Sequence, residues 1–289
     1  MLCYPGAGAA NAVAGVYVAA HDSTPLALFV GQVSRPHLGR GAFQETNYEK
    51  IFGGMAKRVF SVDDARRLPE ITSHAWRIAM SGRPGPVVLA LPENMLEENT
   101  DGVSAAPRVE APTPYPTASD TKTFLALIKK AKHPLIIVGG SRWTATARRA
   151  LQSFSEKWRL PVVCSFRRQD LFDNTHPHYA GDLGFWLNPK LKARLAAIDF
   201  ILLIGGRLSE VPSQGFTLLD IPRPKQTLVH VHSGAEELGR VYTPDLAVNT
   251  APEEFLSAVL KLRQKSLGQY YLKPPTPTIN SGQKRPKRR

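Results

Sequence analysis

Cysteine is nearly absent from this sequence: Cys3 and Cys164 are the two in 289 residues. Their spacing suits neither a metal site nor a disulfide framework, so a reducing, cytoplasmic setting is expected. Long hydrophobic runs are missing too. No stretch reaches 18 apolar residues, so no membrane span is expected. The first 20 residues are small and apolar, but they lack the basic opening of a secretory signal, and Gly6 and Gly8 interrupt them. There is no G-x-S-x-G elbow, no H-E-x-x-H helix and no P-loop. Acidic residues vanish from 266–289, where Lys273, Lys284, Arg285, Lys287, Arg288 and Arg289 stand without a counter-charge.

That tail carries much of the net charge. Taking its six cations from the total of +13 leaves +7 for the rest, interspersed with acids as in Asp63-Asp64-Ala65-Arg66-Arg67. The pattern reads as a solvated surface rather than a nucleic-acid interface. Residues 264–289 are Pro-rich and then basic, which predicts a disordered tail. A rival reading makes this tail a nucleic-acid binder, with salt-sensitive binding lost on deleting 281–289.

The chain is 43% hydrophobic, enough for about two domains. In residues 1–99 a short Ala/Val-rich helix is predicted over 11–20 and a buried strand over 25–31. A shorter strand follows at 57–62, then a helix at 68–81 with Leu68, Ile71, Ala75 and Ile78 at helical spacing, and a strand at 86–91. Residues 100–117, with Pro107, Pro112, Pro114 and Pro116, read as an extended linker. From 118 to 263 four strands are predicted (134–138, 161–164, 200–204, 227–231), with helices at 121–131, 145–158 and 252–262. Alternating short buried strands and helices predict an α/β fold of two doubly wound parallel-sheet domains, the second Rossmann-like.

Three motifs stand out. Gly6-Ala7-Gly8-Ala9-Ala10-Asn11 opens a helix, where glycines let backbone N–H groups approach an anion. As a dinucleotide fingerprint it is poor: Asn11 replaces the third glycine, and almost no chain precedes it to form a strand. A tight turn and a ligand loop both remain open. Gly139-Gly140-Ser141 and Gly205-Gly206-Arg207 each follow a strand, the place where open parallel sheets bind ligands. Simple strand-to-helix turning explains either one alone. Together, with Arg207 able to reach a phosphate or carboxylate, they raise a vestigial nucleotide site at Gly139, Gly140, Gly206 and Arg207. His230 and His232 share a strand face, with no third metal ligand evident, so a structural role is favoured.

Taken in order, these segments resemble the thiamine-diphosphate enzymes of acetolactate synthase type. The first motif is similar to that family's Gly-Pro-Gly-Ala-Thr-Asn turn, with Ala7 in place of proline. Asp22-Ser23-Thr24-Pro25, Gly31-Gln32-Val33, Ala42-Phe43-Gln44-Glu45, Ala56-Lys57, Val59-Phe60, Gly82-Arg83-Pro84-Gly85-Pro86-Val87 and Leu91-Pro92 follow the family pattern, and Gly205-Gly206-Arg207 stands for its Gly-Ala-Arg. The resemblance implies that 1–99 is the C-terminal part of a pyrimidine-binding domain and 118–263 a central domain. It implies thiamine diphosphate and Mg²⁺ as cofactors, a 2-keto acid substrate and a homo-oligomer. It places Gly6, Gly8 and Asn11 at the cofactor and Phe43, Gln44 and Lys57 on the substrate side.

In the family a glutamate some tens of residues before the glycine turn drives cofactor tautomerisation, so that the cofactor becomes a nucleophilic ylide. A later domain holds the metal on the diphosphate. Neither motif is found here: Glu45 and Glu49 come after the turn. The chain is therefore expected to be inactive alone, with no certain catalytic residue and no metal ligand. Val231-His232-Ser233 stands where flavin-containing members have an acidic strand end, which argues against FAD at Arg207. A second rival is a non-catalytic FAD- or ADP-binding module in the central domain, with binding lost in Arg207→Ala.

Overall fold

A computed structural model of the chain describes residues 1–107 and 110–262. Arg108 and Val109 of the expected linker, and the whole expected tail 264–289, lie outside the described residues.

The first sheet has four parallel strands: β1 (Leu2–Cys3), β2 (Leu26–Gln32), β3 (Arg58–Ser61) and β4 (Pro86–Pro92), in the order β1-β2-β4-β3. Strand β4 is buried at all seven positions. Its side chains alternate between two cores, as a central strand covered on both faces requires. Val88 and Ala90 join Leu28 and Val30 under α1 (Ala7–Asp22) and α2 (Tyr48–Phe52). Val87, Leu89 and Leu91 face α3 (Leu68–Met80) and α4 (Glu93–Leu96) through Ile71, Ala75, Ala79 and Met95. The small side chains of Ala9, Ala12, Val16 and Ala19, spaced three and four apart, form the buried face of α1.

Two expectations change here. Helix α1 begins at Ala7, directly after the Gly6 turn, rather than at residue 11. Gly6 has φ +59°, a conformation glycine reaches without Cβ strain. The strand held to be lacking before the turn exists as β1, whose two residues pair with Phe29 and Val30.

The second sheet has six parallel strands: β5 (Pro134–Val138), β6 (Val162–Ser165), β7 (Tyr179–Leu183), β8 (Phe200–Ile204), β9 (Thr227–His232) and β10 (Leu246–Asn249). Their order is β10-β9-β8-β5-β6-β7, so the chain winds outward from β5, then restarts beside it at β8. This is the doubly wound dinucleotide-fold order, with its switch point between β5 and β8. Helices α5 (Ala118–Ile128), α6 (Ala145–Trp158), α7 (Pro189–Leu195) and α8 (Pro252–Leu260) cover it. Phe124 of α5 sits amid Phe154, Trp158, Phe200 and Phe255, with ring centroids 5.4–6.5 Å apart.

Six strands replace the four read from sequence. The two added, β7 and β10, are the edge strands. Asp182 and Gly181 in β7 and the half-exposed pattern of β10 break the apolar run that marks a central strand. Helix α5 starts three residues earlier than read, at a Thr117 capping box. No described helix is long and apolar enough to cross a membrane.

Candidate functional site

Two recesses concentrate the singled-out residues, one on each sheet. The first lies at the C-terminal edge of β1, β2 and β4. It is a cleft of about 690 Å³ lined by Cys3, Tyr4, Gln32, Phe43, Gln44 and Glu93, with Leu2, Leu91 and Leu96 around them. Phe43 is 89% exposed and so presents its ring to the cleft without packing beneath it. Gln44 takes a left-handed backbone, φ +67°, which costs energy for a non-glycine residue.

Glu45 builds the loop that carries this pair. Its carboxylate accepts the N–H groups of Gly39 at 2.6 Å and Ala42 at 3.1 Å, and these bonds hold its pKa below the usual carboxylate value. The Gly6 turn packs directly behind: a Cβ on Gly6 would lie 3.1 Å from the Gln44 Cβ. Tyr48 ties the two segments to β2, donating to the Gly31 carbonyl at 2.7 Å and accepting from the Gly6 N–H at 3.4 Å. Gly8 and Asn11 lie inside α1, away from the lining. Asn11 is exposed, and the bare Cα of Gly8 makes room for Tyr4.

Lys57 is not in this cleft. It precedes β3, at the opposite edge of the same parallel sheet, and lines a cavity of about 610 Å³ with Tyr17, His21, Arg83, Glu236 and Arg240. Its Nζ donates to the carbonyls of Ser81 at 2.6 Å and Arg83 at 2.9 Å. Burial lowers its pKa, nearby Glu236 raises it, and Arg83 and Arg142 lower it further.

The second recess is at the switch point. Gly139-Gly140 ends β5 and Gly205-Gly206-Arg207 ends β8, so the two loops face each other there. A Cβ on Gly140 would fall 1.7 Å from the Gly205 carbonyl oxygen, and one on Gly139 would fall 2.8 Å from the Ser165 Cβ. Close loop-to-loop packing therefore requires glycine at both positions. The adjoining cavity, about 410 Å³, is lined by Arg142, Arg167, Arg168 and Arg207 with Ser141 and Ser165.

All four arginines have partners within the chain. Arg142 reaches the Met80 carbonyl and Thr113, Arg167 pairs with Asp22, Arg168 with Asp170, and Arg207 with the His21 carbonyl and Glu237. Arg207 shares the single Glu237 carboxylate with Arg83 and Arg240, so the cluster keeps a net positive charge.

His230 and His232 do share a face, with rings 5.9 Å apart, and both are buried. His230 Nε2 bonds the Gly206 carbonyl at 2.9 Å, and burial pushes its pKa down to about 4. His232 Nδ1 accepts the Gly234 N–H at 3.0 Å. Among the described residues no group of three or more His, Cys, Asp or Glu side chains is arranged to hold a metal ion. Burial pushes the Cys164 thiol up to about 12, helped by Asp170 and Asp182, so it stays protonated.

Sequence reasoning missed Tyr48, Arg83 and Glu237. Arg83 lay in a quoted motif without a role. Glu237 follows Glu236 in a segment that reads as surface, and nothing local marks it as buried.

Residues 1–51 match the family model "Thiamine pyrophosphate enzyme, N-terminal TPP binding domain", and residues 121–259 match "Thiamine pyrophosphate enzyme, central domain". The acetolactate synthase large subunit of Parasynechococcus marenigrum (strain WH8102) is 31% identical over 84% of this chain and 40% of its own length. The isozyme 3 large subunit of Escherichia coli (strain K12) is 29% identical over 91% of this chain and 46% of its own. For the isozyme 1 large subunit of the same strain the values are 30%, 89% and 45%. The chain thus spans less than half the length of these curated relatives. Two parallel sheets with flanking helices, matched in order by the N-terminal and central models of one enzyme type, show that the chain belongs to the thiamine pyrophosphate enzyme family.

Proposed function

We propose that this chain supplies the pyrimidine-side cleft and the central module of a thiamine-diphosphate-dependent enzyme acting on 2-keto acids by carboligation or decarboxylation. One observation carries the reading: the Gly6 turn and the Phe43–Gln44 pair, far apart in sequence, meet at one cleft on the C-terminal edge of a parallel sheet. The lining is mostly apolar, with Gln32, Gln44 and Glu93 as polar groups. That chemistry fits a flat heteroaromatic ring such as an aminopyrimidine. It does not fit a diphosphate with its Mg²⁺, since no cation and only one carboxylate line the cleft. When bound, the cofactor supplies the nucleophilic carbon that attacks the keto group. In this reading Phe43 holds the ring, Gln44 orients its polar edge, and Glu45 and Tyr48 keep both in place. The reading includes a cytoplasmic homo-oligomer in which other parts of the enzyme hold the diphosphate and Mg²⁺. By itself the chain then forms no acetolactate from pyruvate.

The test is an NMR titration of the purified chain with thiamine and with thiamine diphosphate plus Mg²⁺. Both should shift the amides of Gly6, Phe43 and Gln44 with similar, weak affinity, and Phe43→Ala should weaken binding about ten-fold, or about 1.4 kcal/mol. Silent amides in the cleft would overturn the assignment. Shifts confined to Gly140 and Arg207 would move the ligand to the central module.

A further inference from the structure

Glu237 is the only buried acidic residue among the described residues. Its side chain is 3% exposed, yet it faces three guanidinium groups: Arg83 at 2.9 Å, Arg240 at 3.3 Å and Arg207 at 3.8 Å. Burial raises its pKa, but Arg207, Arg83 and Arg240 together outweigh that and lower it. Arg207 and Arg240 belong to the second-sheet unit. Arg83 belongs to the first, in the turn between α3 and β4. The carboxylate therefore reaches across the crevice between the sheets.

The contacts around it run in both directions. Arg83 also donates to Ser23 Oγ at 2.9 Å and to the Ala20 carbonyl at 2.5 Å. From the other side Arg207 donates to the His21 carbonyl at 2.8 Å, and Arg167 pairs with Asp22 at 3.0 Å. Helix α1 thus has its last carbonyls capped by one arginine from each unit, where cations are favoured by the helix dipole. Ser233 Oγ bonds the Gly82 carbonyl at 2.9 Å, and a Cβ on Gly234 would lie 2.9 Å from the Arg83 Cβ, so backbone and side chains interlock at the same seam.

We infer that Glu237 is an internal counter-anion that clasps the two sheets into one cooperative unit, by binding the first unit's Arg83 against the second unit's Arg207 and Arg240. Removing Glu237 leaves the mostly buried Arg83 and Arg207 without their carboxylate, which is costly, whereas surface pairs such as Arg67–Glu70 contribute little.

Differential scanning calorimetry of the full chain, with amide exchange of β4 and β8 followed in parallel, tests this. Wild type should unfold in one transition. In Glu237→Gln the transition should split or drop by about 5–10 °C, and β4 and β8 should exchange at separate rates. Inorganic phosphate should stabilise the variant more than wild type, by taking the place of the lost carboxylate among the three arginines. Should Glu237→Gln not fold, Arg83→Met decides, since it opens the same clasp from the other side. Combining the two substitutions should add little beyond either one. Glu70→Gln is the surface control and should leave the transition unchanged. A single unshifted transition in the clasp variants, or strictly additive effects, would overturn the proposal.

Discussion

The two parallel sheets end differently. The C-terminal edge of the four-stranded sheet is open and apolar: Leu2, Tyr4, Phe43 and Leu96 are more than half exposed around the cleft. The corresponding edge of the six-stranded sheet is charged, with its glycine loops pressed together and its arginines bonded within the chain. Both edges are where such sheets place ligands. The difference teaches that topology supplies a location, while side chains decide whether anything can enter it. It also explains how similar glycine motifs lead to different readings. Gly6 backs a loop that presents side chains to a cleft, whereas Gly140 and Gly205 exist to let two loops touch.

The largest effect that separates the sheets should come from the core of the second. Phe124→Ala removes the ring that meets Phe154, Trp158, Phe200 and Phe255, with an expected loss of about 3–5 kcal/mol in chemical denaturation. In the Glu237→Gln background, where the clasp is open, exchange protection should fall first in β8. An equal early loss in β4 in that background would mean that opening the clasp does not separate the sheets.

Next in size is a pH effect confined to the charged edge. His230 has its pKa lowered from 6.5 to about 4, so the fold prefers it neutral. Below pH 6.5 the unfolded chain takes up a proton that the folded chain refuses. Stability should therefore fall between pH 6.5 and 4, by roughly 2–4 kcal/mol, and level off below that range. His230→Gln should flatten that slope in denaturation curves recorded across the window; an unchanged slope would remove His230 as its source.

The smallest effect belongs to the open edge. Tyr48→Phe deletes the bond to Gly31 and the acceptor for Gly6, and should cost about 1 kcal/mol. The exchange of the Gly6 and Gln44 amides should speed up by more than that of β8. Equal acceleration at β8 would mean that the bond network of Tyr48 is not local to the open edge.

The legible part of the fold was the part with strong periodicity. The buried runs 86–91, 134–138 and 200–204 and the helix at 145–158 all lie where the structure has them, because central strands and amphipathic helices write their environment locally. Edge strands β7 and β10 do not, since solvent on one side permits Asp182 and Asn249 there. Strand β1, at two residues, is below what any periodicity can signal.

For the cleft, the motifs around Gly6, Phe43 and Gln44 could be found in sequence, but their meeting depends on how β2 and α2 fold between them. Lys57 shows the opposite outcome: close to those residues in sequence, it lies at the other edge of the sheet. Glu237 was invisible because its significance rests on Arg83, a partner 154 residues away.

Helix α1 begins at the Gly6 turn and ends among the arginines of the crevice. Sixteen residues make a rod about 24 Å long. One helix, packed along its length on the first sheet, therefore touches the loop at Gln44 with one end and the seam between the sheets with the other.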